Sequence, residues 1–253
     1  MILDKFKLDG KVAIVTGASR GLGKAMAVGL AEAGADVALV ASTSTEAALK
    51  QIQTVGRKGC AIQADLLRSE AVSKIVETTL KEFGRIDILV NNAGIIRRAG
   101  MLDFTEKDWD DVIQINQRSL FFLSQAVAKQ MVKQGQGGKI INIASMLSFQ
   151  GGIRVGAYTA SKSAVMGLTR LMANELAGHR INVNAIAPGY METDNTAALR
   201  ADTKRNAEIL ARIPAGRWGA PEELQGAVVF LASAASDYMH GFTLAVDGGW
   251  LAR

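Results

Sequence analysis

Short apolar runs alternate with helix-period runs from one end of this 253-residue chain to the other. Strand-like runs fall at 12–16, 36–41, 60–63, 86–90, 139–143, 180–186 and 243–246. Helical stretches fill the gaps, at 22–33, 45–55, 70–83, 109–133, 157–176 and 221–232. A short, wholly apolar strand is covered on both faces, and parallel strands need crossover connections that supply the covering helices. The alternation therefore predicts an α/β fold, a doubly wound parallel sheet of about seven strands flanked by helices on both faces. No Pro/Ser-rich linker, charge block or internal repeat divides the chain, so 1–253 reads as a single domain. In such a sheet ligands lie beyond the C-terminal ends of the strands.

The first run, Val12-Ala13-Ile14-Val15-Thr16, leads straight into Gly17-Ala18-Ser19-Arg20-Gly21-Leu22-Gly23 and then a helical pattern. Glycines there allow the backbone to approach a pyrophosphate, and a helix N-terminus offers it free N–H groups and a positive dipole end. The spacing Gly-x-x-x-Gly-x-Gly differs from the commoner Gly-x-Gly-x-x-Gly. Further on, Tyr158 and Lys162 sit four apart and share one helix face. An ammonium beside a phenol is expected to pull its pKa below the usual value of about 10, giving a general acid/base near neutral pH. Ser145 follows the apolar run 139–144, where its hydroxyl can meet a substrate oxygen.

The glycine loop, Asn91-Asn92-Ala93-Gly94, Asn116, Ser145 and the Tyr158/Lys162 pair together resemble the classical short-chain dehydrogenase/reductase family, from Leu8 to Trp250. The resemblance implies a Rossmann-type fold, an NAD(P)(H) cofactor and a catalytic tetrad of Asn116, Ser145, Tyr158 and Lys162. It implies that Asn116 holds a water linking Lys162 to solvent, completing a proton relay. On the cofactor side it implies contacts from Gly17, Ser19, Arg20, Gly21, Leu22 and Gly23, with Ser42 after the second strand. Asp65, followed by Leu66, is suited to the adenine amino group by resemblance; a plain helix-N-terminal aspartate fits the residues equally well. Asn92, Ala93 and Gly94 are implied to line the ribose and adenine, and Lys162 to reach the nicotinamide ribose beside Tyr158. In Pro188-Gly189-Tyr190-Met191-Glu192-Thr193, the family's Pro-Gly-x-x-x-Thr segment implies that Thr193 binds the carboxamide, with Pro188, Gly189 and Met191 around it.

The choice of dinucleotide divides the signals. NAD-specific members usually carry a carboxylate at the end of the second strand, whereas Val40-Ala41-Ser42-Thr43-Ser44 has none and Asp36 comes too early. Arg20 is the residue type that pairs with a 2′-phosphate, and Ser42 and Thr43 can add hydroxyls, although Arg20 also fits an ordinary exposed loop position. These residues lean to acceptance of NADP(H); the nearest branch of the family leans to NAD.

That branch is suggested by Ile95-Ile96-Arg97-Arg98, by Ser145 to Arg154, by Pro188 to Thr196 and by the ending Ala245 to Leu251, which resemble bacterial sugar-acid members. A sugar acid needs a cation for its carboxylate, offered by Arg97, Arg98 or Arg154, and polar partners for its hydroxyls, offered by Gln150 and Asn195 alongside Tyr158. Each arginine also fits a surface or subunit-contact position. A 3-oxoacyl-thioester reductase would use the same catalytic residues, so it stands as the alternative. A non-catalytic dinucleotide-binding relative is disfavoured by the intact tetrad. The resemblance also implies a homotetramer built on the helices 109–133 and 157–176, whose Leu120, Phe121, Phe122, Leu123, Val165, Met166, Leu168 and Leu171 exceed what one sheet-covering face needs.

Bulk properties exclude other classes. Hydrophobic residues make up 49%, and the net charge of +5 is spread along the chain, so nucleic-acid binding is not expected. Cys60 is alone, which leaves no disulfide framework or cysteine metal site, and His179 and His240 lack ligand spacing. No run approaches membrane-spanning length and the opening residues lack a signal-type apolar core, so the cytoplasm is the expected location.

Overall fold

The computed structural model describes residues 1–253. Its sheet has seven parallel strands: β1 (Val12–Thr16), β2 (Asp36–Ala41), β3 (Gly59–Gln63), β4 (Ile88–Asn91), β5 (Gly138–Ile143), β6 (Ile181–Pro188) and β7 (Thr243–Val246). They lie in the order β3-β2-β1-β4-β5-β6-β7, which places the change of winding direction between β1 and β4. Strands β1, β4 and β6 are buried at every position, as expected of strands sandwiched between helices.

Helices α1 (Gly21–Glu32), α2 (Glu46–Thr54), α3 (Ala71–Phe83), α4 (Glu106–Ile113), α5 (Leu120–Gln134), α6 (Gly156–Leu176), α7 (Ala197–Ala201), α8 (Thr203–Arg212) and α9 (Gln225–Ala232) complete the chain. Two separate apolar cores result. Met26, Leu30, Ile52, Val228 and Leu231 pack α1, α2 and α9 on one face, while Ile75, Leu123, Met131, Val165 and Met172 pack α3, α5 and α6 on the other. No helix is long and apolar enough to cross a membrane.

Two helix expectations change. The helix expected over 109–133 begins earlier, at Glu106, behind a Thr105 cap, and is broken by a π-helical turn at Gln114–Ser119. The segment expected over 221–232 opens with a 3-10 turn, Pro221–Leu224, before α9. Helices α7 and α8 carry no expectation from sequence, because α8 buries only Ile209 and its apolar stripe is too thin to read.

Candidate active site

The glycine loop is shaped for an anion. Gly17 and Gly21 take positive φ, +66° and +52°, and a Cβ on Gly23 would fall 2.2 Å from the Gly17 carbonyl oxygen. Thus these positions need glycine to keep the loop against the start of α1. The α1 N-terminus has no side-chain cap, so its first N–H groups remain free to bind an anion. These features fit the pyrophosphate of a dinucleotide. The adjoining loop is held by Thr16, whose buried Oγ1 accepts from both Asn92 N and Ala93 N at 3.0 Å and donates to Val90 O. Nothing local in the sequence marks Thr16, because its partners come from β4 more than seventy positions away.

Several of the cofactor residues expected from sequence also make contacts within the protein. The Asn92 Nδ2 donates to Thr16 O (2.8 Å) and Gly17 O (3.2 Å), so this amide braces the glycine loop. Asp65 closes a turn by accepting from Leu67 N at 3.0 Å, and the Leu66 carbonyl accepts from Ser119 Oγ. Gly94 is tightly enclosed: a Cβ there would lie 3.2 Å from Asn116 Oδ1 and 3.8 Å from Lys162 Nζ. Gly189 packs against the backbone of Asp247, and Met191 is buried. Ser19 is partly exposed, and Arg20, Ser42 and Thr43 are exposed near the edge of the site.

The catalytic candidates converge from three elements. Asn116 lies in the π-helical turn, where its Oδ1 accepts from Ile95 N at 2.8 Å and its Nδ2 donates to Ile95 O and Ser161 Oγ. A π-turn widens the backbone spacing at a functional position, which explains why one asparagine can reach both the β4 loop and α6. Ser145 follows β5 and starts a 3-10 turn, its Oγ accepting from Leu147 N. Ser148, absent from the sequence reading, accepts from Ser145 N and donates to the Lys162 carbonyl at 2.6 Å, coupling the Ser145 turn to α6. Lys162 is buried, its Nζ 5.7 Å from the Tyr158 ring centroid and donating to Ile143 O at 2.6 Å.

This burial corrects the expected tuning of Tyr158. Desolvation pushes the phenol above its ordinary value, with the Ser145 side chain and the charge of Arg98 acting in the opposite direction. The same desolvation pushes the Lys162 ammonium down to about 8. Both groups are held towards their neutral forms because burial penalises charge on either.

The proposed substrate residues separate. Arg98 lies close enough for its charge to favour ionisation of Tyr158, and it donates to Asn195 O at 3.3 Å. Arg97 instead pairs with Asp108 at 3.3 Å, and Gln150 accepts from Arg212 of α8 at 2.8 Å. Arg154 is exposed, with φ of 63°, and its carbonyl accepts from Ala99 N. Arg97 and Gln150 are thereby drawn into contacts made by other parts of the chain, which sequence spacing does not disclose.

Comparison with known proteins gives the same picture. A 2-dehydro-3-deoxy-D-gluconate 5-dehydrogenase of Dickeya dadantii (strain 3937) is 62% identical over 253 residues, 100% of both chains. A crystal structure of an Agrobacterium tumefaciens protein assigned as a 2-deoxy-D-gluconate 3-dehydrogenase, with bound NADP, is 55% identical. It superposes with a TM-score of 0.94 over 99% of this chain and 100% of that one. A gluconate 5-dehydrogenase from Burkholderia cenocepacia J2315, in complex with NADP and tartrate, is 40% identical with a TM-score of 0.94, covering 100% of both. The family model for short chain dehydrogenases matches residues 11–204. With its parallel sheet, glycine loop and Ser145–Tyr158–Lys162 cluster in the corresponding order, this chain belongs to the short chain dehydrogenase family.

Proposed function

We propose that the chain is an NAD(P)(H)-dependent oxidoreductase that interconverts a secondary alcohol and a ketone on a sugar acid of the 2-dehydro-3-deoxy-D-gluconate or 2-deoxy-D-gluconate type. The observation that carries this reading is the meeting of Ser145, Tyr158 and Lys162 in a chain with an uncapped α1 N-terminus, with the charge of Arg98 acting on the phenol. The names of the relatives support the substrate class, and NADP in two of the solved structures supports the cofactor.

A nicotinamide dinucleotide in this site supplies or accepts the hydride. In ketone reduction, Tyr158 Oη gives its proton to the carbonyl oxygen while Ser145 Oγ donates a hydrogen bond to that same oxygen. A phenol kept protonated by burial suits this direction. In alcohol oxidation, the deprotonated Tyr158 takes the hydroxyl proton. Lys162, when charged, steadies the phenolate, and Asn116 keeps the β4 loop and α6 in register around it. Arg98 offers a charge-assisted hydrogen bond to the substrate carboxylate, worth about 1.5–3 kcal/mol. Arg20 offers the same to a 2′-phosphate, and no carboxylate in 40–44 opposes it.

The active form we propose is a homotetramer acting in the cytoplasm. Exposure of Phe122 on α5 and Leu171 on α6, 41% and 42%, supports partner contacts on those helices. The test of function is a panel of keto-sugar acids and acetoacetyl thioesters, each with NADH and NADPH, with turnover of a sugar acid expected. Turnover confined to thioesters would move the assignment to a 3-oxoacyl-thioester reductase.

A further inference from the structure

Three arginines from three parts of the chain converge on three consecutive residues after β6. Arg200 Nη2 donates to Thr193 O at 3.2 Å, Arg20 Nε pairs with Asp194 Oδ2 at 3.3 Å, and Arg98 Nη2 donates to Asn195 O at 3.3 Å. Only the middle contact is an ion pair, and only Arg20 comes from the glycine loop. The two loops also touch directly, since a Cβ on Gly21 would lie 3.5 Å from Thr193 Cγ2. Although the end of β2 lacks a carboxylate, Arg20 therefore has one beside it, supplied by the segment after β6.

We propose that Asp194 sets dinucleotide preference by acting as an internal counter-ion for Arg20, competing with the 2′-phosphate of NADP(H) for the guanidinium. The proposal rests on the reading that Arg20 binds that phosphate. A guanidinium that pairs with a phosphate must leave or share its carboxylate, and a carboxylate left nearby repels the phosphate dianion. NAD(H) makes no such demand, so Asp194 handicaps one cofactor and not the other. The pair is solvent-exposed, with the two side chains 76% and 72% accessible, so the handicap is small. An exposed pair is worth about 0.2–1 kcal/mol, which corresponds to roughly a 1.4- to 5-fold change in affinity.

The experiment measures dissociation constants for NADPH and NADH by fluorescence titration without substrate, on the parent protein, Asp194→Asn, Arg20→Ala and the double variant. Asp194→Asn is expected to tighten NADPH by about 1.4- to 5-fold and leave NADH unchanged. Arg20→Ala should weaken NADPH selectively, and in that background Asp194→Asn should have no effect, because the carboxylate would have nothing to withhold. If Arg20→Ala affects both dinucleotides equally, the 2′-phosphate reading of Arg20 fails and the proposal fails with it. If Arg20→Ala acts selectively but Asp194→Asn shifts neither dinucleotide, or both alike, only the counter-ion role is overturned. High salt gives an independent check: screening should narrow the difference between the parent and Asp194→Asn.

Discussion

Lys162 reaches from α6 to the backbone of β5, where its Nζ donates to the Ile143 carbonyl at 2.6 Å, two residues before Ser145. The chain thus spends one lysine on holding the catalytic helix against the strand that presents the serine. The burial that this contact requires lowers the ammonium to about 8.

A pH dependence of stability follows. A lysine whose folded pKa lies below its unfolded value binds fewer protons when folded, so between about 8 and the unfolded value of about 10.4 stability rises with pH. Below that window both states are protonated and the folded state carries the full desolvation penalty. Lys162→Met should remove this contribution. Thermal melts of parent and variant at pH 7.5 and pH 10 check it: the stability difference between them should shift in the parent's favour at the higher pH. An unchanged difference would show that the lysine titrates normally.

Tyr158→Phe should lower turnover about 10²–10⁴-fold, the usual contribution of a positioned general acid/base, while dinucleotide affinity stays within about twofold. Because burial raises the phenol, alcohol oxidation by the parent should climb as pH increases through the alkaline range, whereas ketone reduction should be favoured at neutral pH. Initial rates in both directions from pH 6 to 10.5 test the sign.

Thr16→Val should destabilise the fold by about 2–4 kcal/mol, because the methyl replaces a buried oxygen that serves the N–H groups of Asn92 and Ala93. Urea unfolding measures the loss. A change under about 0.5 kcal/mol would mean that those amides find other partners.

Gly23→Ala should cost at least about tenfold in dinucleotide affinity. Its Cβ would meet Gly17 O at 2.2 Å and Asn92 Nδ2 at 2.4 Å, contacts that only a shift of the phosphate-facing loop can relieve. Fluorescence titration of the variant decides, with far-UV circular dichroism confirming that the sheet survives.

Local patterns carried much of this protein in plain view. Apolar runs located β1, β2 and β7 to the residue; β1 and β2 are buried along nearly their whole length and so must be apolar there. Gly17, Gly21 and Gly23 disclosed the tight loop before α1, because positive φ at the first two and close packing at the third exclude other residues. The four-residue spacing put Tyr158 and Lys162 on one helix, and both fall within α6. What sequence could not settle depended on which distant residues meet. Arg97 and Arg98 are neighbours of identical chemistry, yet packing gives one to Asp108 and the other to the Asn195 carbonyl. The Asn92 amide braces Thr16 O and Gly17 O, a contact that no local pattern discloses. The phenol's pKa was the plainest case: spacing promised a nearby ammonium, but only burial in the folded chain decides whether charge or desolvation wins, and desolvation wins at both Tyr158 and Lys162. Spacing along the chain sets which groups can share a face; solvent exclusion and long-range pairing, which exist only after folding, set what those groups do there.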